Sequence, residues 1–265
     1  MCPERTNVLP PEDVYGHAKK VCLFREVIAR EKAHKQRRLS VLDFGCGSGD
    51  AVARYLIDDE LDYVGVDIFQ PALAYARAHF SAPHVRFVEA IPEGARFDVI
   101  IYGDVLEHID DPADMLGRHR EFLADDGVIV GSVPNGFGGF ENERRIDRLL
   151  HLTDMGRALV RALRRLRRRP AQPDTTDRIP FNEASGHVVF FTRRSLERTI
   201  ESAGLTIDRF SHGSFVGADL SGSTFLKNRR LIGLNARIAD FLPSWAVSTW
   251  HFSARRNDAC QAGSR

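Results

Sequence analysis

Apolar residues recur along this chain in two alternating rhythms: short unbroken runs, and longer stretches with apolar positions three or four apart. Val14, Ala18, Val21, Cys22, Phe24 and Ile28 carry the second spacing and predict a helix over 13–35, ended by the basic run 35–38. Strand-like runs follow at 39–44, 63–67, 85–89, 97–102 and 127–133. Helical spacing occupies 50–58, 71–80 (with Pro71 in its first turn) and 112–123. Apolar strands separated by helices of this length predict a parallel sheet covered on both faces.

Beyond 133 the rhythm changes. Gly136, Gly138 and Gly139 lead into a long helix candidate at 141–169, followed by a loop carrying Pro170, Pro173, Asp174 and Pro180. A helix at 192–203, closed by Gly204, and strands at 205–211 and 247–254 complete the sheet, with a helical segment near 225–241 between those strands. The expected fold is α/β: a doubly wound, Rossmann-like, seven-stranded and mostly parallel sheet, with helices on both faces and a helical insertion after the fifth strand. Its expected segments are an N-terminal helical cap (1–38), a ligand-binding core (39–133), a lid-like insertion over a substrate (134–191) and a C-terminal completion of the sheet (192–265).

Composition narrows the class. Across 265 residues, 43% are hydrophobic and 28% charged, as in a soluble globular enzyme, and the net charge of +1 gives no argument for a nucleic-acid partner. Cys2, Cys22, Cys46 and Cys260 are scattered without a CxxC pair, which points away from a zinc site or disulfide framework and toward a reducing, cytoplasmic setting. No run approaches the roughly 18 apolar residues that span a bilayer, and the N-terminus does not resemble a targeting peptide. The positive charge is uneven, however. Arg157, Arg161, Arg164, Arg165 and Arg167–Arg169 share a predicted helix with Leu149, Leu152, Leu159, Leu163 and Leu166. Such a helix is either a lid with solvated arginines or a peripheral membrane contact through 149–169. No aromatic residues are interleaved with those arginines for base stacking, so an RNA-directed activity is the weaker alternative.

The chemistry gathers at the predicted strand ends. Asp43-x-Gly45-x-Gly47-x-Gly49 lies between a strand and a helix, where ligands bind in open α/β sheets. A dinucleotide fingerprint is spaced GxGxxG; here the spacing is GxGxG, and the preceding acid would repel a pyrophosphate while suiting a ligand with an ammonium and a sulfonium. This argues against a nicotinamide-dependent dehydrogenase. Asp67, ending the second strand, can accept from both hydroxyls of a ribose or cap the following helix. Glu89 and Ala90 end the third strand. The fourth runs into Gly103-Asp104-Val105-Leu106-Glu107-His108-Ile109-Asp110-Asp111, a turn rich in acids.

VLDFGCGSGD, VGVDIFQPAL and FDVIIYGDVLEHIDDPADML together resemble successive motifs of class I S-adenosylmethionine (SAM)-dependent methyltransferases. They are most similar to the branch containing ubiquinone-biosynthesis O-methyltransferases and many small-molecule methyltransferases, and GHVVFFTRRSLERTIESAGL resembles that branch too. The resemblance covers about 41–133 and 186–210. It implies SAM as cofactor, with Gly45, Cys46, Gly47 and Gly49 around its methionine part and Asp43 orienting its amino group. It further implies Asp67 at the ribose, Glu89 and Ala90 beside adenine, Asp104 near the sulfonium, and Ile68 among the residues that bind the cofactor. The acceptor is expected to be a small or lipid/sugar-linked molecule methylated at oxygen, with His187 and His108 as candidate bases. A SAM-binding regulatory protein without catalysis is the alternative. Acids 104–111 could gather around a divalent ion, but loop acids are ordinarily solvated or cap the next helix, so no metal is expected.

Overall fold

The computed structural model describes residues 16–58, 60–152, 179–180, 182, 186–217 and 229–257. Seven strands form one sheet: β1 (Leu39–Phe44), β2 (Leu61–Val66), β3 (Val85–Val88), β4 (Phe97–Gly103), β5 (Leu123–Pro134), β6 (Leu205–His212) and β7 (Thr249–Arg256), in the order β3-β2-β1-β4-β5-β7-β6. Pairings from β3 through β5 are parallel, whereas β7 runs antiparallel to both β5 and β6. The helices are α1 (His17–Lys35), α2 (Ala53–Leu56), α3 (Gln70–His79), α4 (Pro112–His119), α5 (Gly139–Leu152), α6 (Arg193–Ser202) and α7 (Arg229–Phe241). The doubly wound reading therefore holds. Its boundaries moved where the turn before β5 tightens: α4 stops at His119, a short 3₁₀ segment follows, and β5 begins at Leu123. Likewise α2 keeps only Ala53–Leu56 of the expected 50–58.

Strand alternation sends β1 and its neighbours into two cores. Leu42, Ile100, Ile129, Trp250 and Phe252 pack on the face carrying α4 and α6; Val41, Tyr63, Ile101 and Val130 pack on the face carrying α1. α6 starts with a capping box, in which Thr192 and Ser195 satisfy each other's backbone N–H groups.

Of the apolar stripe expected on α1, Val21, Phe24 and Ile28 are buried, Ala18 and Cys22 are half-buried, and Val14 lies outside the described residues; the buried face is more polar than that stripe. It runs through His17, Lys20, Val21, Phe24, Val27, Ile28 and Glu31, so three ionisable residues point inward. Nor is Cys22 the free thiol that its isolated position suggested, for it is disulfide-bonded; Cys46 is free and buried. Among the described residues, no helix is long and apolar enough to cross a membrane. The basic stretch 157–169, with most of the expected lid, lies outside the described residues.

The end of α1 is fastened to the sheet by charge. Asp98, at the start of β4, takes both guanidinium N–H groups of Arg37 at 2.7 Å, the backbone N–H of Ser40 at 3.0 Å and the Lys35 ammonium at 3.0 Å. Burial alone would raise the Asp98 pKa, but these donors outweigh it and hold the carboxyl below its ordinary range. Asp98→Ala leaves the Lys35 ammonium buried without this partner and is expected to cost about 3–5 kcal/mol at neutral pH in denaturant titrations. Against Asp98→Asn, the wild-type advantage is expected in full above the ordinary carboxylate range. It is lost as pH falls through the depressed native pKa.

Candidate functional site

A crevice opens where β1 and β4 lie side by side while their following connections lead away from each other. The glycine loop after β1 lines it. Gly45, Gly47 and Gly49 all have positive φ (73°, 53° and 79°), a region that side chains disfavour. A Cβ on Gly45 would stand 2.5 Å from Val105 Cγ2, and one on Gly49 2.9 Å from the Phe80 ring, whereas one on Gly47 would meet nothing within 4 Å. The loop is therefore packed tightly from below and open at Gly47. Such a cradle fits a ligand lying against backbone. Cys46 contributes main chain only, since its thiol is buried against β2 and burial pushes its pKa far up.

Asp67 braces this loop. Its carboxylate accepts the Gly47 N–H and the Phe69 N–H, each at 2.8 Å, so it fixes the cradle and the entry to α3 together. Each oxygen retains a lone pair for a further donor. Beside it Ile68 is 85% exposed, an apolar side chain standing at the crevice rim, and Glu89 and Ala90 are exposed at the end of β3. Asp43 is different: it is buried under the loop and accepts a hydrogen bond from the Tyr63 hydroxyl. Burial raises its pKa to about 7, against the opposing pull of Tyr63 and the Lys20 ammonium.

At the end of β4, Asp104 adopts φ of 59° and its carboxylate is held from two sides, by Lys20 Nζ at 2.6 Å and by the Ser132 hydroxyl at 2.6 Å. Lys20 is almost wholly buried while the Asp104 side chain is 42% exposed to the crevice. The protein packed around this carboxylate would raise its pKa; Lys20 and Ser132 overcome that and bring it to about 2, so Asp104 is ionised.

Pattern reading missed the surroundings of this pair. His251 on β7 is the cross-strand partner of Ser132. Across from it, Gly16 packs so closely on Gly213 that a Cβ there would stand 2.8 Å from the Gly213 carbonyl carbon. This contact places His17 at the same end. Both ring nitrogens of His17, Nδ1 of His251 and the Ser214 hydroxyl are buried with no hydrogen-bond partner among the described residues. Burial, aided by the charge of Lys20, pushes both imidazoles down to about 3, leaving them neutral. No motif marks these residues. The signal available in the sequence was the phase of α1, on which His17, Lys20 and Phe24 fall three and four apart.

His108 and His187 do come together, their ring centroids 5.0 Å apart. The strand-like run after His187 docks on the β4 turn: Val188 and Val189 donate to the Glu107 carbonyl at 2.9 and 3.0 Å, and His108 Nδ1 lies 3.0 Å from the Gly186 carbonyl. His108 thus fastens the segment that carries His187. His187 Nδ1 meets the buried Glu141 carboxylate of α5 at 2.7 Å. Side-chain atoms of Glu107, His108 and His187 lie within 4.8 Å of one another, close enough to ligate one divalent ion, and Glu107 Oε2 is buried with no partner among the described residues. Burial, followed by the Asp104 charge, raises the Glu107 pKa well above its usual value. Asp111 takes the structural role weighed for the loop acids, capping α4 through the Asp114 N–H at 3.0 Å.

The family described as "Methyltransferase domain" matches residues 15–209, more than half of the chain. The chain is similar to the ubiquinone biosynthesis O-methyltransferase of Azorhizobium caulinodans (31% identical over 124 residues, covering 42% of this chain and 49% of that protein). It is also similar to the protein of that name from Bradyrhizobium diazoefficiens (33% over 103 residues, covering 37% and 40%). The matched part spans less than half the length of these curated relatives. Among solved structures, PKMT2 from Rickettsia typhi superposes with a TM-score of 0.54 at 12% identity, covering 83% of this chain and 49% of that one; this likeness concerns the fold.

The buried acid of the cradle makes a thermodynamic prediction. With its native pKa raised to about 7, Asp43 binds a proton more tightly folded than unfolded, so its contribution to stability falls as pH rises from its unfolded value through 7. Asp43→Asn is expected to melt higher than the wild type at pH 8, by an amount equivalent to roughly 2–4 kcal/mol, and level with it near pH 4. Parallel melting curves for the two proteins across pH 4–8 check this.

Proposed function

Since the chain belongs to the class I SAM-dependent methyltransferase family, we propose that it binds SAM in the β1–β4 crevice and methylates a hydroxyl of a small-molecule or lipid/sugar-linked acceptor, with His187 as the base. SAM supplies an activated methyl group on a sulfonium, so the protein's own task is alignment, exclusion of water and removal of one proton. The Gly45–Gly49 cradle receives the methionine part, and Asp43 lies beneath it for the amino group. Asp67 offers its remaining lone pairs to the ribose. Ile68, Glu89 and Ala90 form the adenine rim. Asp104, ionised and fixed by Lys20 and Ser132, presents negative charge where the sulfonium would lie.

The observation that carries the base assignment is the short His187–Glu141 hydrogen bond. A carboxylate accepting from Nδ1–H selects the tautomer with its lone pair on Nε2, and it stabilises the imidazolium formed when Nε2 takes the proton of the acceptor hydroxyl. His108 is the positioning residue, because its bond to the Gly186 carbonyl holds the backbone next to His187. A second reading is favoured by the unpartnered Glu107 Oε2: Glu107, His108 and His187 would hold a divalent cation that binds the acceptor oxygen and acidifies its hydroxyl.

Incubation with labelled SAM and fractionated cell extract, followed by identification of the labelled product, tests the activity. Asp67→Ala is expected to weaken S-adenosylhomocysteine binding at least about tenfold by calorimetry, and unchanged affinity removes Asp67 from the site. His187→Ala is expected to lower turnover about 10²–10⁴-fold with that binding intact. Dialysis against a chelator is expected to leave the wild-type rate unchanged. A rate abolished by the chelator and restored by added Mg²⁺ or Zn²⁺ would replace the base reading by the metal reading.

A further inference from the structure

One surface of the molecule plays no part in that chemistry. On α7, Ile232, Asn235 and Ala239 are buried and fix the inward side. At about 100° per residue, Leu231, Leu234, Ile238 and Phe241 then fall in one arc beside it, and all four are exposed. Phe241 is 90% exposed, and Trp245, just past the helix end, 75%. A monomeric soluble surface seldom gathers a Phe, a Trp and three aliphatic side chains so openly.

The charges on this helix are arranged around the arc. Arg230 and Arg237, both exposed, lie along its outer edge. The single acid of α7, Asp240, sits on the far side of those arginines and is paired with Lys19 at 2.6 Å. Among the described residues of α7, the outer edge of the apolar arc is thus basic.

We propose that this face of α7, with Trp245, seats the protein on an anionic lipid surface. The arc would lie at the level where headgroups meet acyl chains. Phe241 and Trp245 would be the deepest side chains, and Arg230 and Arg237 would reach the phosphates. A protein partner would favour a charge-depleted centre with a mixed polar rim, which a one-sided basic edge does not resemble. The position of α7 also suits this assignment. Lys19 Nζ bonds the Ala236 carbonyl at 2.6 Å as well as Asp240, and the next residue, Lys20, grips Asp104. This helix is therefore fastened to the same turn of α1 that holds Asp104 at the crevice.

The test uses the full chain with vesicles of phosphatidylcholine, alone or with phosphatidylglycerol. Expected are sedimentation with the anionic vesicles, weakening about tenfold or more at high salt, and little with the neutral ones. Of the two tryptophans, Trp250 is buried, so acyl-brominated lipid should quench Trp245 emission, and Trp245→Phe should abolish the quenching. Leu234→Glu with Phe241→Glu should cut vesicle binding at least about tenfold, leaving circular dichroism and S-adenosylhomocysteine binding unchanged. The proposal is overturned if the wild type does not sediment with anionic vesicles, or if the double variant binds them as the wild type does. It is equally overturned if sedimentation equilibrium shows a dimer that the double variant splits, because the arc then covers a second copy.

Discussion

β1 and β4 lie side by side in parallel, but the chain leaves β1 toward one edge of the sheet and β4 toward the other. Two connections that diverge from adjacent strands cannot fill the space between them, and the glycine loop after β1 and Asp104 after β4 stand on its two sides. The constraint also accounts for the strained backbone. Gly45 packs closely on the Val105 side chain of the opposite connection, and Asp104 holds a left-handed conformation that a non-glycine residue adopts only where neighbours overdetermine it. Those neighbours are Lys20 and Ser132, from α1 and β5. The turn after β4 is thus pinned by an ion pair to α1 and a hydrogen bond to β5.

This ion pair gives α1 more than a covering role. A helix laid over a parallel sheet ordinarily presents apolar side chains, and the middle of α1 does so with Phe24, Val27 and Ile28. Its first turns instead bring His17 and Lys20 to the place where the sheet itself turns polar, at Asp104, Ser132 and His251. Two neutral imidazoles and a hydroxyl with unmet hydrogen-bonding capacity are costly in a closed interior, which is why such groups accompany functional sites more often than structural cores.

How much of this was legible in the sequence depended on the kind of signal. The strands were readable because each is a dense apolar run, and the cradle because three glycines and an acid at fixed spacing have few other uses. Asp67 was placed at its strand end, but its bond to the Gly47 N–H, through which it shapes the loop it was expected to adjoin, could not be seen without the fold. His187 was singled out from its neighbours. Its partner Glu141 lies 46 positions away, on a helix whose docking depends on tertiary contacts. The inward side of α1 was read only in part, with Val21, Phe24 and Ile28 but not His17, Lys20 and Glu31: hydrophobic periodicity counts ionisable residues as outward-facing, and it fails where a buried charge is balanced by another from a distant strand.

The antiparallel strand carries a consequence for how the molecule is made. β7 lies between β5 and β6, pairing Ile129 with Ala254 and Ile207 with Ala254 as well, so β5 receives its outer neighbour only from residues far along the chain. Until those residues leave the ribosome, β5 is an apolar strand with one row of backbone groups unpaired, a template for any other nascent strand nearby. The wall holding His251 is then the last part of the crevice to be completed. Synthesis that stops short of β7 yields a cradle with an open, adhesive flank, and protection of that edge during translation becomes a requirement written into the strand order itself.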